Sequence, residues 1–81
     1  MNLPNNITAN FLFFLYNFPY GWENEFLKDD PMKDHLLGKY AQAQEQGCNS
    51  SDGIIRFFFM LGNTRQESLI NWVSENYESG H

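Results

Sequence analysis

Residues 53–62 read GIIRFFFMLG and set the fold class of this 81-residue chain. The β-branched pair Ile54–Ile55 and the three phenylalanines after Arg56 are typical of a buried strand. The Ser/Asp-rich residues before this run and Gly62 after it are equally typical of a short helix. Because the neighbouring segments have helical patterns, we predict a helix here. A buried strand over Ile54–Leu61, which would give an α+β fold, is the alternative.

The segment that follows has the clearest helical pattern in the chain. Thr64 and Glu67 have the spacing of a capping box, in which each side chain binds the backbone N–H of the other residue. Apolar residues then recur at helical spacing, at Leu69, Ile70, Val73 and Tyr77. We predict a final helix that is joined to the preceding one through Gly62–Asn63 and that turns Arg65 towards water.

The first apolar segment of the chain, residues 7–18, also has helical spacing. One face carries Phe11, Phe14, Leu15 and Phe18. Asn6 or Thr8 would cap its start, and Pro19 lies just beyond its end. Other apolar residues occupy the remaining faces, which predicts a helix that is buried on all sides or lies in an interface.

Two further helical segments are predicted in the middle of the chain. A turn at Tyr20–Gly21 leads into a short helical piece in which Trp22 and Phe26 share a face. Asp30–Pro31 then has the pattern of an N-cap followed by proline at the first helical position. This helix would run through Gln46 and end at Gly47 in a left-handed cap. Its inner stripe would consist of Met32, Leu36, Leu37, Tyr40 and Ala43.

The elements together predict an all-α fold, a small single-domain bundle of four or five short helices. The chain is too short for a second domain, so the domain spans residues 1–81. We expect about five residues at the N-terminus and about four at the C-terminus to be frayed.

Charge and length argue against several classes of function. Ten acidic and five basic residues give a net charge of −5, whereas nucleic acids and anionic lipids are bound by clusters of Lys and Arg. The apolar run Phe11–Tyr16 is shorter than the core of a signal peptide or a membrane span. The single cysteine, Cys48, forbids an internal disulfide and is compatible with a reducing compartment. We expect a cytoplasmic protein that binds neither nucleic acid nor membrane.

The sequence offers no group of residues with the spacing of a catalytic or metal site. Cys48 would follow a helix C-terminus, whose negative dipole end does not favour a thiolate nucleophile. Asp30, Asp34 and His35 are better explained by helix capping and solvation than by metal binding. No glycine-rich phosphate loop is present. We therefore expect no enzyme activity, cofactor, metal or small-molecule substrate.

The number of aromatic residues is the main indication of function. The chain has eight Phe, four Tyr and two Trp, yet a chain of this size buries only about 60% of its unfolded surface. Some rings should therefore lie in an interface with another protein or another copy. The candidates are Phe13, Tyr16, Tyr20 and Trp22, followed by Phe57 and Phe59. This pattern predicts a non-catalytic protein-interaction module, acting as a homodimer or as a small adaptor or regulator.

An acidic segment suggests a second hypothesis. Residues 23–34 contain five acidic side chains and only two lysines; the acidic residues are Glu23, Glu25, Asp29, Asp30 and Asp34. Such a segment could dock on a basic site of a larger protein and make the association dependent on salt. The alternative prediction is therefore an acidic protein inhibitor or mimic.

Overall fold

The computed structural model describes residues 9–77, and these residues form five α-helices without any strand. The helices are α1 (Ala9–Asn17), α2 (Trp22–Phe26), α3 (Lys33–Gln46), α4 (Ser50–Leu61) and α5 (Asn63–Asn76). The predicted all-α bundle is confirmed, and the strand alternative for Ile54–Leu61 is wrong. The predicted caps Asn6 and Thr8 and the predicted frayed ends lie outside the described residues.

Helix α4 forms because its start is capped and its apolar residues fit a helical face. Asn49 has an extended backbone, and its side-chain oxygen accepts a hydrogen bond from the Asp52 N–H at 2.8 Å. The Asp52 carboxylate in turn accepts one from the Cys48 N–H at 2.8 Å. The helix therefore begins earlier than the Ile54 start expected from the sequence. Its buried apolar residues are Ile54, Phe57, Phe58 and Leu61, which have the spacing of one helical face.

The corner between α3 and α4 depends on a close contact between two glycines. Gly47 ends α3 with φ −81° and ψ 153°, so the predicted left-handed cap is wrong. A Cβ at this position would lie 2.7 Å from the Gly53 nitrogen and 2.9 Å from the Gly53 Cα. Glycine is needed at position 47 because the backbone of α4 passes too close for a side chain, and α3 and α4 form the most extensive helix pair.

The start of α3 differs from the prediction. The helix begins at Lys33, and Asp30 is not its N-cap. The Asp30 carboxylate accepts a hydrogen bond from the Met32 N–H at 2.9 Å and so stabilises the turn before the helix. Met32 consequently leaves the predicted inner stripe and is exposed, while Leu36 and Ala43 are buried.

The start of α5 also differs from the prediction. The helix begins at Asn63, its N-cap is Gly62, and no side chain caps it, so the predicted capping box of Thr64 and Glu67 does not form. Gly62 alone makes the turn from α4, with a φ of +86° that glycine adopts readily. The Gln66 side-chain amide donates to the Phe58 carbonyl at 3.0 Å, which satisfies a carbonyl in the last turn of α4.

An aromatic cluster forms the core, with Trp22 at its centre. Trp22 is 1% exposed, and its ring lies within 6.2 Å, centroid to centroid, of one aromatic ring from each of the five helices. These rings are Phe14, Phe26, Tyr40, Phe57 and Trp72. The expected shared face of Trp22 and Phe26 is thus present. Five of the fourteen rings are buried, five more pack against them, and four are exposed.

An ion pair joins the turn before α3 to helix α5. The Arg65 guanidinium donates to both oxygens of the Asp30 carboxylate, at 2.8 and 2.9 Å. Arg65 was expected to face water, but this two-point contact holds it partly buried. The hydrogen bonds from Arg65, and then the one from the Met32 N–H, lower the pKa of the Asp30 carboxyl.

This pKa shift predicts how the stability of the fold depends on pH. Because the folded state lowers the pKa of Asp30, the carboxylate stabilises the fold fully above the ordinary aspartate pKa of about 4. The contribution is lost as the pH falls through the lowered value. At pH 7, Asp30→Asn should therefore lower the thermal midpoint, and the difference from the unmodified protein should shrink below about pH 4.

The matched control is Asp29→Asn, because Asp29 is exposed and forms no ion pair within residues 9–77. We expect it to leave the midpoint nearly unchanged. Thermal unfolding followed by circular dichroism from pH 7 to pH 2 measures both variants. A midpoint difference for Asp30→Asn that is constant over this range would contradict the assignment.

Candidate interaction surface

Four of the predicted aromatic contact residues lie on the surface. Tyr20 is 103% exposed and Tyr16 is 81% exposed, while Phe13 and Phe59 are 44% and 42% exposed. None of these four rings is among the buried residues of the core. They are therefore available for contacts outside the chain.

Trp22 and Phe57, which the sequence suggested as contact residues, are core residues instead. Trp22 begins α2 directly after the Gly21 turn, which has a φ of +85° and directs the chain back against the other helices. Phe57 follows Ile54 by three positions on the buried face of α4 and is 0% exposed. Neither side chain can reach a partner while the chain is folded.

Helices α1 and α4 lie side by side and run in opposite directions. The Ser51 hydroxyl donates to the Leu15 carbonyl near the end of α1 and the start of α4. At the other end of the pair, the rings of Phe11 and Phe58 are 5.1 Å apart. Tyr16 and Ile55 line one groove between the two helices, next to the polar residues that begin α4.

This pairing places four apolar residues along the outer side of the α1–α4 contact. Leu12 lies one turn before Tyr16 on α1, and Phe59 lies one turn after Ile55 on α4. Because Tyr16 and Ile55 line the same groove, the two pairs lie on the same side of the helix pair. We call this set the α1–α4 stripe: Leu12, Tyr16, Ile55 and Phe59. Phe13 is also exposed and lies three residues before Tyr16, so it borders the stripe on α1.

A second concave feature lies beside the turn between α1 and α2. This groove has a volume of about 330 Å³. We call it the Tyr20 groove, and it is lined by Phe18, Tyr20, Gly21, Glu23, Asn24, Tyr40, Gln44 and Ser50. Phe18 and Ser50 also line the groove beside Tyr16, so the Tyr20 groove and the α1–α4 stripe adjoin each other.

The Tyr20 groove has a negative character. The pKa of the Tyr40 hydroxyl is raised, chiefly because Tyr40 is partly buried, and the charge of Glu23 contributes to the rise. The Trp22 indole has the opposite effect and lowers the pKa of Tyr40 in part. Neither lysine nor arginine is among the lining residues.

The five predicted acidic residues do not act as one patch. The Asp30 carboxylate is bound to Arg65 inside the fold, so it is not free to dock on a partner. Glu25 forms an exposed ion pair with Lys28 at 3.7 Å. Glu23 lines the Tyr20 groove, whereas Asp29 and Asp34 are exposed.

Several residues of the α1–α4 stripe and of the Tyr20 groove were not predicted from the sequence as contact residues. Leu12 and Ile55 each lie four residues before a predicted aromatic residue, and this spacing could have identified them as neighbours on the same helical face. Phe18 and Tyr40 resembled ordinary core residues because they belong to apolar stripes. Only the packing of the helices shows that both also reach a groove.

Cys48 is exposed, and no three His, Cys, Asp or Glu side chains of residues 9–77 are grouped so that they could hold a metal ion. No helix within this range has the length and apolar character needed to cross a bilayer. Comparison with protein-family models, with curated protein sequences and with solved structures found no match to this chain.

Proposed function

We propose that this protein is a non-catalytic protein-interaction module that associates through the α1–α4 stripe. The observation that carries the proposal is the exposure of Leu12, Tyr16 and Phe59 on two adjacent helices, in a chain whose core already holds ten other rings. Single exposed apolar residues are ordinary, but a continuous apolar surface is typical of a contact site. Aromatic side chains are enriched in such sites because they cover a large area with few rotatable bonds.

We favour a homodimer in which the α1–α4 stripe of one chain packs against the same stripe of a second chain. All four stripe residues are uncharged, so the repulsion between two acidic chains acts only from outside the contact. A small adaptor or regulator that uses the same stripe for another protein is the second form. We also propose a cytoplasmic location, with which the free exposed thiol of Cys48 is compatible.

Sedimentation equilibrium of the unmodified protein and two variants tests the dimer. Tyr16→Ala removes the most exposed ring of the stripe, and loss of such a central contact costs about 2 kcal/mol, or about a thirtyfold increase in the dissociation constant. The control is Met32→Ala, which removes an exposed apolar side chain from the turn before α3, outside α1 and α4. We expect the control to dimerise like the unmodified protein.

Two results would overturn self-association through the stripe. One is an unmodified protein that stays monomeric at the highest concentration that can be measured. The other is a dimer that Tyr16→Ala and Met32→Ala weaken equally.

The acidic inhibitor or mimic stays a second proposal, supported by Glu23, Asp29 and Asp34. No ion pair within residues 9–77 involves these three carboxylates. An acidic docking mode predicts an association that weakens steeply as salt increases, because exposed charges are screened. Apolar contact through the stripe predicts an association that salt hardly changes. Repeating the sedimentation experiment with a candidate basic partner over a salt series distinguishes the two.

A further inference from the structure

The Tyr20 groove combines aromatic walls with one carboxylate. Phe18 and Tyr40 form walls that are partly buried, and Tyr20 adds a ring that is fully exposed. Because Tyr20 makes no contribution to the core, packing alone does not explain a large aromatic side chain at this position. Glu23 is the one acidic residue among those that line the groove.

Unlike Glu25 and Asp30, Glu23 forms no ion pair within the described residues. Glu25 is paired with Lys28, and Asp30 is bound to Arg65. The Glu23 carboxylate accepts a long hydrogen bond, 3.4 Å, from the adjacent Asn24 side-chain amide. The carboxylate therefore keeps capacity to accept hydrogen bonds from a ligand.

The lining residues favour a primary ammonium group as that ligand. Besides Glu23, oxygen acceptors are available from Asn24 on α2, Tyr40 on α3 and Ser50 on α4. An ammonium group donates three hydrogen bonds, which suits acceptors that come from three separate helices. The rings can meanwhile cover an apolar stem and attract the cation through their faces.

The groove is large enough to hold a single side chain. Its volume of about 330 Å³ lies at the lower end of the range for ligand pockets. A lysine side chain has the required parts, a flexible apolar stem that ends in a compact ammonium group.

We propose that the Tyr20 groove binds a lysine side chain that a partner protein presents, with Glu23 accepting hydrogen bonds from the ammonium group and Tyr20 covering the stem. The proposal rests on the proposed function because it assumes a protein partner. It does not depend on whether the α1–α4 stripe forms a dimer.

The test is a titration of the full chain with Nα-acetyl-lysine N-methylamide, followed by NMR shifts of the groove residues. We expect saturable shifts at Gly21 and Tyr40. The norleucine analogue has a similar stem without the charge, and we expect it to bind at least about fivefold more weakly. Choline carries a cation without N–H donors, so it should also bind more weakly than the lysine derivative.

Variants identify the groups responsible. Glu23→Gln should weaken binding of the lysine derivative about fivefold, and Tyr20→Ala should weaken it about two- to fivefold. The controls are Glu25→Gln on the same helix and Tyr16→Ala outside the groove, and we expect both to bind like the unmodified protein. Tyr16→Ala also separates the two proposals, since it should weaken dimerisation while lysine binding persists.

Any of three results would overturn the assignment: no saturable shift, equal binding of the norleucine analogue or choline, or an equal loss of affinity in Glu25→Gln and Glu23→Gln. Each of these outcomes leaves the sedimentation test of the stripe unaffected.

Discussion

Trp22→Ala should lower the free energy of unfolding by about 3–5 kcal/mol, the usual cost of removing a large buried ring. Its indole contacts a ring from every helix, so the surrounding core cannot close over the cavity without moving several elements. A domain of this size has only about 5–15 kcal/mol of stability, and the variant should be partly or largely unfolded at physiological temperature. Urea denaturation followed by circular dichroism measures the change.

Tyr20→Ala is the matched control for this prediction. Tyr20 lies two residues before Trp22 and is fully exposed, so its removal should change the stability by less than about 0.5 kcal/mol. If Trp22→Ala were as stable as Tyr20→Ala, Trp22 would not have the central position described above. The pair also separates folding from binding, because Tyr20 is assigned to the groove and Trp22 to the core.

Gly47→Ala should destabilise the protein by about 2–3 kcal/mol, although alanine adopts the Gly47 backbone angles without strain. The added methyl group would lie 2.7 Å from the Gly53 nitrogen, and backbone atoms cannot move aside as the end of a flexible side chain can. The corner between α3 and α4 would have to open. The same urea denaturation experiment measures the loss.

Gly38→Ala provides the control, because Gly38 lies inside α3 and nothing would be within 4 Å of its added methyl group. Alanine stabilises an exposed helical position by about 0.5–1 kcal/mol relative to glycine. The two substitutions are chemically identical and should have opposite signs. A stabilising effect of Gly47→Ala would show that the close contact with Gly53 does not constrain the fold.

The spacing of apolar residues along the sequence predicted helices and their buried faces correctly. The sequence predicted helical faces in α1 and α5 from the spacing of apolar residues, and Phe11, Phe14, Leu69 and Val73 of those faces are buried. Local pattern was sufficient here because a helical face is defined by residues three and four apart.

Helix starts and ends were predicted less well because tertiary contacts compete for the same groups. Asp30 has the sequence of an N-cap, but its carboxylate is held by Arg65, 35 residues away. Gly47 was correctly identified at a helix end, but the reason for glycine there is the approach of Gly53. Neither partner can be found from spacing along the chain.

The candidate surface was predicted in part for a similar reason. Tyr16 and Tyr20 are exposed as expected, whereas Trp22, which follows a Pro–Tyr–Gly turn, is buried. The number of rings in the chain made Trp22 a candidate contact residue, but its burial depends on rings from separate helices that only the folded chain brings together. The same is true of the Tyr20 groove, whose walls come from α2, α3 and α4 and from the turn before α2.

The position of Trp22 also bears on how the molecule unfolds. Since each helix supplies a ring to the same indole, no helix can leave the bundle without uncovering part of it. Detaching any one helix is therefore unfavourable in free energy. The helices should unfold as one cooperative unit without a populated intermediate. Unfolding without an intermediate would limit the exposure of the apolar core to other protein molecules. Such exposure in partly folded states is what makes proteins prone to aggregate.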